Sequence, residues 1–224
     1  MIIAIDGPAA SGKSTTARLV AQKLDFLHID TGAMYRAVTL YFCQHNISLQ
    51  DTRDIASALD KIQVRLADCG QVFLNDTDVS NEIRTPEVSQ RVSAVSALPA
   101  VRVHLVDQQR KLARNRNVVM EGRDIGTRVF PAADIKIFLV ADVIVRGERR
   151  LQELQEQGVD TTLSTIVADL KRRDEIDSSR AESPLSKAAD AIVIDTSHLT
   201  IAQQVETIVE IVNKKQTVGD KSQV

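Results

Sequence analysis

The sequence predicts an α/β fold: a five-stranded parallel sheet with helices on both faces. Three observations lead there. Short apolar runs rich in β-branched residues alternate with segments of helical spacing, the pattern of a parallel sheet wrapped by helices. Five such runs are present: IIAI, FLHID, NVVME, DIKIFLV and DAIVIDTS. Five of the nine glycines (7, 12, 32, 122 and 126) come after predicted strands, which clusters permissive backbone along one edge of the sheet. In such folds ligands sit beyond the carboxyl ends of the strands.

Taken in order, IIAI reads as a buried strand and is followed by a glycine loop. KSTTARLVAQKL is helical, with Leu19, Val20 and Leu24 on one side. FLHID is the second strand, TGAMYRAVTLYFCQHN a helix, and a further helix runs from about Asp51 to Leu59. KIQVRLADCGQVFLNDTDVS differs: alternating strands, with turn signals at Cys69-Gly70 and Asn75-Asp76, make it a small antiparallel insertion. Pro86 and Pro99 mark helix starts, since the first helical position needs no N–H. NVVME and DIKIFLV are the next strands. VRGERRLQELQEQG and TLSTIVADLKRRDEIDSSR are charged helices. DAIVIDTS is the last strand, TIAQQVETIVEIVNKK the last helix, and QTVGDKSQV a polar, frayed tail.

Composition narrows the classes. The chain has 224 residues, 43% of them hydrophobic and 26% charged, which suits one globular α/β unit carrying insertions. Net charge is −2 from 28 basic and 30 acidic residues, so nothing suggests a nucleic-acid coat or a polybasic membrane surface. An anionic ligand must be met by locally gathered arginines. Cys43 and Cys69 form no C-x-x-C pair and read as reduced thiols of a cytoplasmic protein. MIIAI is too short for a signal-peptide core and Asp6 interrupts it. No stretch approaches the ~18 apolar residues of a membrane span.

GPAASGKS, Gly7 to Ser14, matches G-x-x-x-x-G-K-[ST] in full, with a strand before it and a helix after. Glycines let backbone N–H groups turn inward around a phosphate, and the helix adds its positive end. Gly7, Pro8, Ala9, Ala10, Ser11, Gly12, Lys13, Ser14 and Thr15 thus form the triphosphate loop. Lys13 reaches the β- and γ-phosphates, and the Ser14 hydroxyl is the candidate Mg²⁺ ligand. A nucleotide switch, a motor and a small-molecule kinase all use such a loop. A guanine-binding N-K-x-D is absent from the sequence, and the short chain with an inserted subdomain favours the kinase.

A phosphate acceptor calls for arginines near the same sheet edge. Arg36, Arg102 and Arg123 follow predicted strands or helix starts. Arg146, Arg149 and Arg150 share one helix face, as do Arg173, Asp177 and Arg180 if their helix extends that far. Each face alone reads better as solvated ion pairs. Beside a nucleotide loop the two together read as a lid. Arg123-Asp124, between Gly122 and Gly126, is either an internal ion pair or a ligand-binding element. Asp6 and Asp30 either act on a metal through water or cap turns. His28 reads as a core histidine, and His45, His104 and His198 have no metal spacing.

Six stretches carry a specific resemblance: IDGPAASGKST, DTGAMYR, VSNEIRTPEVS, SALPAVR, EGRDIGTRVFPAADIKIFL and RRDEIDSSRAESPL. Over nearly its whole length the chain resembles the bacterial cytidylate kinases, a family of P-loop nucleoside monophosphate kinases. The resemblance implies ATP as phosphoryl donor with Mg²⁺, CMP and dCMP as acceptors, no nucleic-acid or membrane partner, and a monomer. It implies one kinase domain with a core at 1–35, 86–148 and 176–214, a monophosphate-binding insertion at about 36–85, a helical lid at about 149–175 and a tail at 215–224. It also implies that Arg36, Arg123 and Arg180 hold the acceptor phosphate, while Ser93, Arg102 and Asp124 face the cytosine. Arg173 and Asp177 approach the ribose, and Thr31 and Tyr35 complete the pocket near Arg36. Lys13, Arg123, Arg149 and Arg180 would then be the catalytic cations. Two rivals remain: a P-loop regulator that transfers nothing, and a monophosphate kinase for another base.

Overall fold

β1 (Ile2–Asp6) leads through the glycine loop into α1 (Lys13–Leu24), and β2 (Leu27–Asp30) into α2 (Thr31–Gln44). Next come α3 (Thr52–Leu59) and three short strands, β3 (Val64–Leu66), β4 (Val72–Leu74) and β5 (Thr77–Asp78). After a 3-10 turn at Glu82–Arg84 follow α4 (Pro86–Ser96), α5 (Pro99–Leu112) and β6 (Val118–Gly122). A π-turn at Ile125–Val129 precedes β7 (Ile135–Val140), α6 (Val143–Glu156), α7 (Leu163–Ser179), β8 (Ile192–Asp195) and α8 (Ile201–Lys221). This computed structural model describes residues 1–67, 70–156 and 158–221. The chain divides into two units, Met1–His28 with Asn115–Ser179 and Ser183–Val224, and Ile29–Arg114 with Arg180–Glu182.

The large sheet has the order β2-β6-β1-β7-β8. β1 runs parallel to both β6 and β7, and β8 parallel to β7. The expected five-stranded parallel sheet is therefore present. Register places Asp6 opposite Gly122 on one side and Phe138 on the other, so the glycine loop and the Arg123-Asp124 segment leave neighbouring strands at the same level. In β6 every residue is buried, the signature of a strand covered on both faces.

In the first unit one sheet face packs on α1 and α8. Ile3, Ile5, Ile135, Ile137 and Leu139 meet Ala17, Val20 and Ala21 of α1 and Val205, Ile208, Val209 and Val212 of α8. The period-two residues of the strands thus meet the helical stripe read from the sequence. Val20 is fully buried, while Leu19 and Leu24 pack at the margin. Leu139 has no exposure, so Leu139→Ala would cost about 2–5 kcal/mol.

In the second unit α2 is buried along most of its length. Asp30 caps it, its Oδ1 accepting the N–H of Ala33 at 2.9 Å. Asp51 caps α3 through the N–H groups of Arg53 and Asp54. α4 and α5 begin at Pro86 and Pro99. β3, β4 and β5 form the expected antiparallel sheet. Asn75 and Asp76 turn β4 into β5 with φ of 47° and 67°, the left-handed pair a two-residue hairpin requires. At the other turn Cys69 lies outside the described residues.

Two expectations change. α7 ends at Ser179, so Arg180 stands just beyond the helix and does not continue the face of Arg173 and Asp177. α8 continues to Lys221, so the segment read as a frayed tail is helical at its start. No helix among the described residues is long and apolar enough to cross a membrane.

Candidate functional site

The phosphate loop is built by close approach. Gly7 has φ of 152°, and a Cβ there would lie 2.2 Å from the carbonyl oxygen of Leu139. Only glycine lets the chain turn off β1 against β7. Ala10 takes a left-handed φ of 58°, a cost that tends to persist at functional sites. Gly12 is the N-cap of α1, whose first residue is Lys13. The Lys13 ammonium, 5% exposed, curls back over the loop to the Pro8 carbonyl at 2.5 Å and Ser11 Oγ at 3.3 Å.

Ser14 Oγ donates to Glu121 Oε2 at 2.7 Å, and Glu121 Oε1 lies 3.1 Å from His28 Nε2. His28 is thus tied to a carboxylate at the site, more than the core histidine expected. A hydroxyl and a carboxylate at the mouth of a phosphate loop are hard oxygen donors of the kind a small divalent cation takes. Asp6 and Asp30 both bind backbone N–H groups. Asp30 is the helix cap, and Asp6 accepts from Ile125 and Gly126, each at 2.8 Å.

Charge is concentrated around Lys13. Burial first, and then the nearby Arg123 guanidinium, lower its pKa to about 7 against the pull of Glu121, Asp6 and Asp177. Burial raises the Asp6 carboxyl to about 6, with the two N–H bonds opposing. Arg123 Nε donates to Asp177 Oδ2 at 2.9 Å, so its ion pair reaches α7. Burial, then Arg123, lowers the pKa of Arg173, whose Nε is buried with no hydrogen-bond partner among the described residues.

All three arginines of the α6 face have partners. Arg146 pairs with Asp174 and donates to the Ala9 carbonyl, and Arg150 pairs with Glu153. Arg149 donates to the Thr196 carbonyl at 2.5 Å and its hydroxyl at 3.2 Å. The Thr196 hydroxyl in turn donates to the Ser11 carbonyl at 3.1 Å. Gln204, fully buried, accepts from Thr16 Oγ1 at 2.7 Å and donates to the Leu199 carbonyl. Residues from the C-terminal third thus brace the loop.

The second unit carries its own cluster. Arg102, 4% exposed, sits with its guanidinium carbon 5.5 Å from the centre of the Tyr35 ring and donates to the Ser96 carbonyl. Arg180 Nη2 donates to Ser96 Oγ at 2.8 Å, and that hydroxyl donates to the Ser93 carbonyl. Ser96 therefore joins Ser93, Arg102 and Arg180. Arg36 donates to Ser89 Oγ and the Ile83 carbonyl. Thr31 and Tyr35 lie buried on α2.

The residues expected at the site thus fall into two groups. Lys13, Arg123, Asp177 and Arg173 share one charged neighbourhood in the first unit, with Asp124 buried at the start of the π-turn. Thr31, Tyr35, Arg36, Ser93, Arg102 and Arg180 belong to the second. Sequence reading missed Glu121, Thr196, Gln204, Asp174 and Ser96. A signal existed for Glu121 alone: an acid closing a wholly apolar run is buried, and a buried acid needs a partner.

Comparison with known proteins identifies the family. The family model for Cytidylate kinase matches residues 3–214. A cytidylate kinase of Cytophaga hutchinsonii is 49% identical, covering 94% of this chain and 92% of its own length. One of Carboxydothermus hydrogenoformans is 48% identical, covering 97% of this chain and all of its own. A solved structure from Eubacterium ventriosum has the same fold at 15% identity, with a TM-score of 0.50 over 95% of this chain and 98% of that one. With the phosphate loop formed and the match running almost end to end, the chain belongs to the cytidylate kinase family.

Proposed function

We propose that the protein transfers the γ-phosphoryl group of ATP to CMP, and to dCMP, giving ADP and CDP or dCDP. The observation that carries this reading is the shared neighbourhood of Lys13, Arg123 and Asp177. There the guanidinium read as holding the acceptor phosphate lies close enough to the lysine read as holding the donor to lower its pKa, inside the unit that bears the phosphate loop. The names of the relatives, matched over nearly their full length, supply the base.

Catalysis in this reading is positioning and charge stabilisation. Lys13, on the loop, takes donor phosphate oxygens in place of the Pro8 carbonyl it now meets. Arg36, Arg123 and Arg180 neutralise the acceptor phosphate, and planar guanidinium forks suit its oxygens. Arg149 adds charge from α6. Ser93, Arg102 and Asp124 face the cytosine, Arg173 and Asp177 the ribose, and Thr31 and Tyr35 flank Arg36. The unsatisfied Nε of Arg173 supports a ligand there. A phosphate acceptor is already anionic, so transfer is direct and in line and needs no strong base. Mg²⁺ would be held by the Ser14 hydroxyl and the Glu121 carboxylate, and when bound it neutralises charge on the triphosphate. In this reading the protein works in the cytoplasm as a monomer.

One assay tests the reading. The protein is mixed with ATP, Mg²⁺ and each nucleoside monophosphate in turn, and ADP is followed. CMP and dCMP should be the preferred acceptors. Equal turnover with all of them, or with none, overturns it.

A further inference from the structure

The Asp6 carboxylate leaves the strand that opens the phosphate loop, yet both of its oxygens serve a different segment. Oδ1 accepts the N–H of Ile125 and Oδ2 the N–H of Gly126, each at 2.8 Å. The carbonyl of Asp124, on the other side of the same peptide link as the Ile125 N–H, accepts from Arg128 at 2.8 Å and Val129 at 3.2 Å. The peptide joining Asp124 to Ile125 is therefore pinned at both polar ends. That restricts the ψ of Asp124, 25° here, and with it the direction in which the Cα–Cβ bond of Asp124 leaves the backbone.

A third restraint comes from β7. The stem of Lys136 lies against Gly126, where an added Cβ would stand 3.1 Å from Lys136 Cδ and 3.4 Å from Asp6 Oδ2. Lys136 is itself anchored, donating to the Pro131 carbonyl at 2.6 Å and to Asp190 at 2.9 Å. The π-turn is thus clamped between a carboxylate from β1 and a lysine stem from β7.

We infer that Asp6 is a positioning residue for recognition of the acceptor base, acting through the Ile125 and Gly126 amides on the orientation of Asp124. The inference rests on the reading of Asp124 as the group that faces cytosine. A carboxylate suits the task because it presents two acceptors and no donor, matching two adjacent N–H groups. An amide of the same shape offers one acceptor and would turn its own N–H toward the other donor. The burial that pushes the Asp6 carboxyl up to about 6 makes ionisation costly there, and the two N–H bonds offset part of that cost.

The test is Asp6→Asn, with kcat and KM measured for CMP, UMP and ATP beside the unaltered enzyme. Loss of one charge-assisted bond at the turn should raise the KM for CMP by about tenfold or more. The CMP-to-UMP ratio of kcat/KM should fall several-fold, while the KM for ATP stays within about twofold. A parallel rise in both KM values with an unchanged CMP-to-UMP ratio overturns the inference, because Asp6 would then act on the phosphate loop or on the fold. If Asp6→Asn does not fold, amide hydrogen exchange on the unaltered protein decides. Slow exchange at Ile125 and Gly126, slowed further by CMP but not by UMP, is expected. Free exchange, or equal slowing by both, overturns it. The two readings stay separable: an unaltered enzyme with no preference for CMP defeats the base assignment itself. A clear preference that Asp6→Asn leaves intact defeats only the role of Asp6.

Discussion

Arg146 holds Asp174 at 2.7 Å and, through the same nitrogen, the Ala9 carbonyl of the phosphate loop at 3.1 Å. One guanidinium therefore ties α6 to α7 and to the loop. Breaking a buried pair from one side leaves the other charge uncompensated, at a cost of about 3–5 kcal/mol. Arg146→Met should lower the melting temperature by roughly 6–20 °C and raise the KM for ATP. Thermal denaturation followed by circular dichroism is the check. A shift of only a degree or two would mean that the pair contributes little.

Lys13 predicts a proton count. Its pKa of about 7 lies below the ordinary 10.5. A group depressed in this way contributes stability that is full above 10.5 and lost as pH falls through about 7. A bound triphosphate reverses the depression by adding negative charge beside the ammonium. Binding of ATP at pH 8 should therefore take up about one proton, and less as pH falls toward 6. Calorimetry in buffers of different ionisation enthalpy measures this directly, and buffer-independent heats would exclude it. Lys13→Ala should abolish the uptake and cut turnover by roughly a hundredfold or more in a folded protein.

Arg36, Arg123 and Arg180 should act on the acceptor. Replacing any one with Ala should weaken CMP use by about ten- to a hundredfold and leave ATP binding nearly unchanged, since charge-assisted bonds contribute about 1.5–3 kcal/mol each. Steady-state kinetics with each substrate varied in turn distinguishes the effects. A variant that loses ATP affinity while keeping normal CMP kinetics would displace its arginine from the acceptor.

Asp124 should set the choice of cytosine over uracil. Cytosine presents an amine where uracil presents a carbonyl, and an ionised carboxylate only accepts. A site built for such a bond can reject the analogue lacking it by about 10⁴. Asp124→Asn should lower kcat/KM for CMP and raise that for UMP relative to it, without reversing the preference while Ser93 and Arg102 remain. An unchanged ratio at one pH and fixed ATP would return Asp124 to a structural role.

Gln204 should support the loop through Thr16. Gln204→Leu leaves the Thr16 hydroxyl and the Leu199 carbonyl without the partner each has now, at about 1–3 kcal/mol. Adding Thr16→Val should recover part of the loss, because removing both members of a buried pair is cheaper than removing one. Chemical denaturation of the two single variants and the double variant measures the coupling. Strict additivity would show that the bond contributes nothing of its own.

The sequence was most legible where chemistry is local. The Lys13–Leu24 helix matched residue for residue, because the loop before it has a fixed spacing and the helix an apolar stripe. Pro86 and Pro99 marked helix starts, and Asn75-Asp76 a hairpin, for reasons contained in those residues. What lay hidden was long-range. Thr196 meets Ser11, and Gln204 meets Thr16, only because β8 and α8 return beside the loop. Nothing local marks those residues. The spacing of Arg173, Asp177 and Arg180 suggested one face, but spacing does not say where a helix stops. Arg123 shows the same limit. A pair with its neighbour Asp124 was one of two readings, while the bond seen leads to Asp177, 54 residues away.

The fit of Gly7 against Leu139 has a consequence for the protein's history. The loop is placed there by a contact with no room in it, so its position is defined by an atom that is missing. A bond can be weakened and compensated elsewhere in small steps. A missing atom offers no intermediate, since the smallest side chain already brings Cβ to 2.2 Å from a carbonyl oxygen. Drift in the strand that carries Leu139 would displace the loop directly, and neither could adjust alone. A side chain at position 7 is therefore possible only if the backbone of residue 139 moves with it, and the two positions act as one fixed point for the loop.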